Sequence, residues 1–299
     1  MDATFTAPGR FWKGNIHTHS TLSDGMRSPA DVCATYRDAG YDFLALTDHF
    51  QAKYRFPVAD TRPFRAPGFT TLLGAELHAP ATGLGEIWHI LAVGLPPDFA
   101  PTAEAETGPE LAARALAAGA FVAIPHPAWY TLDVADAQSL PGVHAVEIYN
   151  HTSATRIDRG DGTYLVDQLL ARGRRLSIIA VDDAHLWRND AFGGWLMVKA
   201  EANAPEPLLA ALKAGHFYAT QGPLLHDLAW HDDHVEVHCS PAEAVVVLGH
   251  GSNAQPVLAP AQTRVTIPYG RAAGSPFLRL LVIDAAGRRA WSNPIWRKA

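Results

Sequence analysis

From residue 28 to residue 215 helix-like and strand-like segments take turns, and this alternation restricts the possible folds more than any other feature of the chain. Segments 28–40, 107–119, 163–173 and 205–215 read as helices that stop on glycine, which enters the left-handed conformation past a helix end at little steric cost. Ser28 followed by Pro29 places an N-cap before a first-turn proline, and Thr107 with Glu110 has capping-box spacing. Between the helices lie short apolar runs at 42–47, 71–74, 89–94, 121–124, 143–148, 176–181 and 195–198. Such runs predict buried parallel strands, and their alternation with helices predicts a parallel α/β architecture closed or nearly closed into a barrel.

From about residue 223 the pattern changes to alternating strands with tight turns, as at 234–238 and at 277–283 before Asp284-Ala285-Ala286-Gly287. No clear helix remains there, and a small antiparallel β-sandwich is expected. The reading is therefore a barrel over 1–222 and an accessory domain over 223–299. With no tandem repeat, low-complexity tract or long linker, the two are expected to pack together.

The polar residues of the first part gather at strand ends. If residues 16–19 are extended, His17 and His19 point to one face and can grip a single ion, while Thr18 points away. Asp24 then enters from the loop. Asp48-His49 follows the second strand, Glu76 the third and His126 the fifth; Glu147 to Asn150 end the sixth, and Asp183 with His185 follows the seventh. His89 alone opens its strand. The C-terminal ends of strands are where barrels of this class build their sites.

Composition narrows the partners. At 48% hydrophobic and 18% charged the 299-residue chain has a globular composition, with no apolar run long enough to span a bilayer. Residues 1–13 lack the basic start and apolar stretch of a secretory signal, so a cytoplasmic location is expected. Cys33 and Cys239 form neither a disulfide framework nor a paired zinc motif, which leaves nitrogen and oxygen to hold any metal. A net charge of -6, with no basic cluster longer than Arg172-Gly173-Arg174-Arg175, disfavours nucleic acid. Fifteen histidines beside 24 Lys plus Arg is a surplus that a metal site would explain. No Gly-x-Ser-x-Gly elbow, phosphate-binding glycine loop or His-Glu-x-x-His helix offers another chemistry.

Taken together, His17-x-His19, Asp24, Thr47-Asp48-His49, Gly74-Ala75-Glu76, His89, His126-Pro127 and Asp183-Ala184-His185 resemble the PHP (polymerase and histidinol phosphatase) superfamily of metal-dependent phosphoesterases. The segments Phe11-Trp12-Lys13-Gly14-Asn15 and Phe217-Tyr218-Ala219-Thr220-Gln221-Gly222-Pro223 are similar to those of its two-domain branch, which includes CehA/McbA-type metallohydrolases. The resemblance implies a distorted seven-stranded TIM-like barrel holding two or three divalent ions. It implies that His17, His19, Glu76 and Asp183 hold one ion, that Glu76, His89 and His126 hold a second, and that Asp24, His49 and His185 hold a third, with Glu76 bridging. Imidazole with carboxylate suits zinc, manganese or iron. His78 shares the period-2 phase of Glu76 and competes with His89.

Counting the ions' own charge, three of them with three carboxylates and one hydroxide leave the cluster at about +2, and two ions with the same carboxylates leave about +1 before any hydroxide is counted. The first case draws a small anionic phosphomonoester or related phosphoester, attacked by metal-bound hydroxide; the second accepts a neutral carbamate or aryl ester more readily. A third reading is a non-catalytic binding protein stabilised by its metal. No general acid is assigned, and the oligomeric state is left open. Asp48 is read as capping the loop behind the ligands. Asp182 either orients a histidine or adds negative charge that weakens anion binding. Asn150, Arg156 and Arg188 are candidate substrate contacts, with Arg159 beside them.

Overall fold

A computed structural model describes residues 4–297. Strand β1 (Arg10–Asn15) leads to α1 (Pro29–Asp38), β2 (Phe43–Leu46), the short β3 (His49–Phe50), β4 (Thr70–Ala79) and β5 (Trp88–Val93). Then come α2 (Gly108–Ala117), β6 (Phe121–Ile124), α3 (Val134–Ser139), β7 (Ala145–Asn150), α4 (His151–Ile157), α5 (Thr163–Ala171) and β8 (Ser177–Val181). After β9 (Trp195–Ala200) and α6 (Pro205–Ala214) the chain is almost entirely strand: β10 (Phe217–Thr220), β11 (Leu225–Trp230), β12 (His234–Leu248), β13 (Ala254–Pro268), β14 (Phe277–Ile283), β15 (Arg289–Ser292) and β16 (Ile295–Trp296).

The caps form as the sequence dictates. The Ser28 hydroxyl accepts from Asp31 N ahead of α1, and the Thr107–Glu110 box closes both ways ahead of α2. Gly215, at φ 74°, ends α6 in the left-handed conformation that glycine adopts freely. The short helices α3 and α4 were not expected. They carry no apolar stripe and no glycine stop, and start instead on Asp133 and Asn150, whose side chains accept from Asp136 N and Ser153 N.

The sheet is mixed rather than all parallel. β1–β2, β2–β4, β6–β7 and β7–β8 are parallel, whereas β5 runs antiparallel to both β4 and β6, and β9 antiparallel to β1. Only residues 80–87 separate β4 from β5, too few for the crossover a parallel pair needs, so the chain turns back as a hairpin. This reversal explains His89. Because β5 starts at the end where β4 finishes, its opening histidine, paired with His78, lies at the same end of the sheet as the other candidates.

Seven strands follow one another in the order β1-β2-β4-β5-β6-β7-β8, and the two end strands meet beyond their ladders at one parallel bridge, Thr18 with Ala184. There Asp183 N donates to His17 O and His19 N to Ala184 O, both at 2.9 Å. Residues 16–19 are therefore not part of β1, as expected, but an extended continuation held by that bridge. On its other side β1 continues through β9, β10, β15, β14, β12 and β11, so the antiparallel C-terminal strands extend the same sheet. One apolar cluster fills the space under α2, α5 and α6, a second lies among the C-terminal strands, and a third sits beneath α1. Among the described residues no helix is long and apolar enough to cross a membrane.

Candidate metal centre

The bridge between the β1 and β8 extensions sets the first three side chains. It brings His19 Nε2 to 2.8 Å and His17 Nε2 to 3.3 Å from Asp183 Oδ1. Asp183 takes a left-handed φ of 55° and His126 a φ of 25°. Non-glycine residues hold such angles at a cost of about 1–3 kcal/mol each, and sites are where such strain collects. The loop carrying Asp24 is fixed from behind by Asp48, which accepts from Ser20 N and Oγ at 2.7 Å and from Ser23 Oγ at 2.6 Å. Gly25 lets the loop close, because a Cβ there would lie 2.6 Å from the His19 carbonyl.

Glu76, inside β4 and fully buried, is the centre of the cluster. Its Oε1 is 2.7 Å from His126 Nε2 and 2.8 Å from His89 Nδ1. Its Oε2 lies 2.7 Å from His49 Nδ1 without the alignment of a hydrogen bond, and 3.7 Å from Nε2 of both His17 and His19. Asp24 completes the far side, 3.3 Å from His185 Nε2 and 3.5 Å from His49 Nε2. Thus all nine expected metal ligands converge in one place. His78 joins them, its Nε2 2.9 Å from His49 Nδ1, while its Nδ1 donates to Trp88 O.

Charge is finely divided here. Burial opposes the charged form of Glu76 and Asp183, yet their imidazole neighbours hold both carboxyls below the usual range, His89 and His49 for the first, His17 and His19 for the second. Burial likewise opposes charge on His17, but Asp183 and Glu147 raise it well above the ordinary histidine value. His49 is pushed up to about 10 against its burial by Glu76 and Asp24. His19 goes the other way, to about 4, through burial and the neighbouring His185 and His49.

The residues fit a divalent cation. His17 Nε2, His19 Nδ1, His126 Nδ1 and Glu76 Oε2 are buried with no hydrogen-bond partner, an arrangement that costs free energy unless something accepts their lone pairs. Ligand atoms of His19, Asp24, His49 and His185 lie within 4.8 Å of one another, as do those of His17, His19 and Glu76, of His17, His126 and Asp183, and of His49, Glu76, His78 and His89. The cluster opens into a cavity of about 470 Å³ whose further lining includes Trp129, Thr152, Ser153, Arg156, Ile157 and Trp187.

No family model and no curated protein matches the chain. Solved structures do. One is a two-domain protein from Bacteroides vulgatus described as containing a predicted PHP-like metal-dependent phosphoesterase: TM-score 0.54, 15% identity, 93% of each chain covered. This chain has that PHP-like fold. An amidohydrolase from Chromobacterium violaceum, solved with sulfate and no metal, aligns over 68% of this chain and 96% of its own at 15% identity and a TM-score of 0.47.

Within this PHP-like fold several side chains serve differently from expectation. Asp182 orients no histidine: its carboxylate accepts from Tyr36 Oη at 2.6 Å and from the backbone N–H groups of Phe192, Gly193 and Gly194. Burial pushes its pKa up, and these donors oppose the rise. Asn150 is spent within the protein, donating to Glu147 and Asp183 and accepting from Ser153 N, so it offers nothing to a substrate. Arg188 lines a different hollow, with Arg27 and Asp31. Arg159 donates to Trp129 O, and of the arginines Arg156 alone lines the cavity over the cluster. The ligand sets left out Glu147. It accepts from His17 Nδ1 at 2.7 Å and from His126 N at 2.6 Å, which fixes the proton on His17 Nδ1 and turns the Nε2 lone pair toward the cluster. Its place at the end of β7, level with the ligands, was the available signal.

Proposed function

We propose that this protein is a metal-dependent phosphoesterase that hydrolyses a small phosphomonoester. One observation carries the reading: a buried carboxylate, Glu76, is ringed by imidazoles, its Oε2 and the nitrogens His17 Nε2, His19 Nδ1 and His126 Nδ1 lack partners, and an open cavity lies over the cluster. Two or three ions of zinc, manganese or iron would be held as the resemblance implies, by His17, His19, Glu76 and Asp183, by Glu76, His89 and His126, and by Asp24, His49 and His185. Bound there, they would polarise phosphoryl oxygens and lower the pKa of coordinated water to ~7. The chain's own part is positioning. Glu147 orients His17, Asp48 anchors the Asp24 loop, and Arg156 stands at the cavity for the substrate's negative charge. The seven-strand ladder joined by the Thr18–Ala184 bridge is read as a distorted barrel, and the C-terminal strands as its sandwich companion.

A carbamate or aryl ester hydrolase on the same residues is the second reading, favoured by the apolar Trp129 and Ile157 in the cavity wall. The test is a panel of phosphate monoesters, carbamates and aryl esters offered to protein reconstituted with zinc, manganese or iron. Phosphomonoesters should be cleaved, with activity lost on chelation and restored by metal. Cleavage of carbamates with every phosphate ester untouched would overturn the first reading in favour of the second.

A further inference from the structure

The wall of the cavity says more about the substrate than the cluster does. Trp129 follows the His126-Pro127 turn, its N–H donating to His126 O at 2.9 Å, and its ring stands edge-on to His89 and His126, with centroids 5.3 Å from each. It is still 40% exposed, and Ile157 at the end of α4 is 50% exposed. Both line the cavity. At the opposite end of the cluster Trp187 stacks on His185 at 4.4 Å, and the Arg156 guanidinium lies 3.9 Å over the Trp187 ring. His185, Trp187 and Arg156 thus form a pile, and the indole pins the cation flat. Among the described residues Arg156 forms no ion pair, and it is the one cationic side chain other than histidine in the lining.

From this geometry we infer that the substrate is a phosphomonoester of a flat, apolar alcohol. Its ring lies on Trp129 and Ile157, and Arg156, held by Trp187, meets the phosphoryl group. A polyol would need several hydrogen-bonding partners along the wall, but beside Trp129, Ile157 and Trp187 the wall offers only the Ser153 hydroxyl, the Thr152 hydroxyl already donating to Asp183 O. A substrate with a second phosphate would need a second cation. Ring stacking on an exposed indole supplies both area and orientation. The inference rests on the phosphoesterase reading and names its substrate class.

Benzyl and propyl phosphate test it, because their alcohols are of similar acidity and differ in the ring, together with the non-hydrolysable benzylphosphonate and propylphosphonate followed by calorimetry on the metal-loaded protein. Benzyl phosphate should show a KM lower by on the order of tenfold, and benzylphosphonate should bind correspondingly tighter. Trp129→Ala and Ile157→Ser should erase the benzyl-over-propyl ratio in KM and in phosphonate binding, whatever they do to the propyl series itself, whereas Arg156→Gln should raise KM for both and keep the ratio. Equal KM and equal binding for the two series, or variants that weaken both equally, would overturn the aromatic assignment while leaving the phosphoesterase standing. Binding with the aromatic preference but no turnover of either ester would support the assignment and count against phosphate hydrolysis.

Discussion

Glu147 touches no expected ion, yet much of the centre's affinity depends on it. A histidine ligand needs its lone pair aimed and its other nitrogen occupied, and Glu147 does this for His17 while also holding His126 N. Glu147→Ala should therefore weaken metal binding by roughly 10–100-fold without removing a ligand; competition with a chromogenic chelator would measure it, and an unchanged affinity would refute the role. Protons compete for the same positions. His49 carries a value raised to about 10, so in the metal-free protein it holds a proton at neutral pH that an ion taking its nitrogen must expel, and the upward direction at His17 works the same way. Affinity should accordingly rise with pH. Calorimetry of zinc binding in buffers of different ionisation enthalpy should register proton release, and a buffer-independent heat would contradict it.

At the scale of elements, what could be read from the chain was what local chemistry decides. The four glycine-stopped helices, the capping box before α2 and the strand at Phe277–Ile283 are where the residues placed them, because caps and periodicity are properties of neighbours in sequence. Strand direction is not such a property: an apolar run reads the same either way, and only the short 80–87 connection betrayed the reversal of β5. Long-range partners were equally hidden. The sequence leaves Asp182 open between orienting a histidine and adding negative charge to the site, whereas it gathers the 192–194 amides and the Tyr36 hydroxyl, contacts that no spacing announces. It thereby ties α1 to the loop leading into β9. Tyr36→Phe keeps the ring contacts with Tyr41 and Phe192 and removes one donor to a buried carboxylate, so it should cost about 2 kcal/mol. Urea denaturation would read this as a lower midpoint at unchanged slope, and a midpoint equal to wild type would mean that the amides alone suffice.

The whole molecule is joined across its length by the same kind of contact. One sheet runs from β11 to β8, and Asn293, just after β15, locks it where the C-terminal strands meet the first part. Its Oδ1 accepts from Ile178 N at 2.8 Å, and its Nδ2 donates to Gly215 O and Phe217 O at 2.9 Å each. Nearby Arg279, buried in β14, reaches Asp167 on α5 at 2.8 Å. Among the described residues the two parts thus share both a sheet and buried hydrogen bonds, so they should open together. Asn293→Ala leaves the Ile178 amide buried without an acceptor and should cost about 2–3 kcal/mol. Because the lock lies at the junction, the loss should move a single unfolding transition rather than split it, with tryptophan fluorescence and far-ultraviolet circular dichroism remaining superimposable. Two separate transitions in the wild-type protein would show that the C-terminal strands fold as a unit of their own despite the shared sheet.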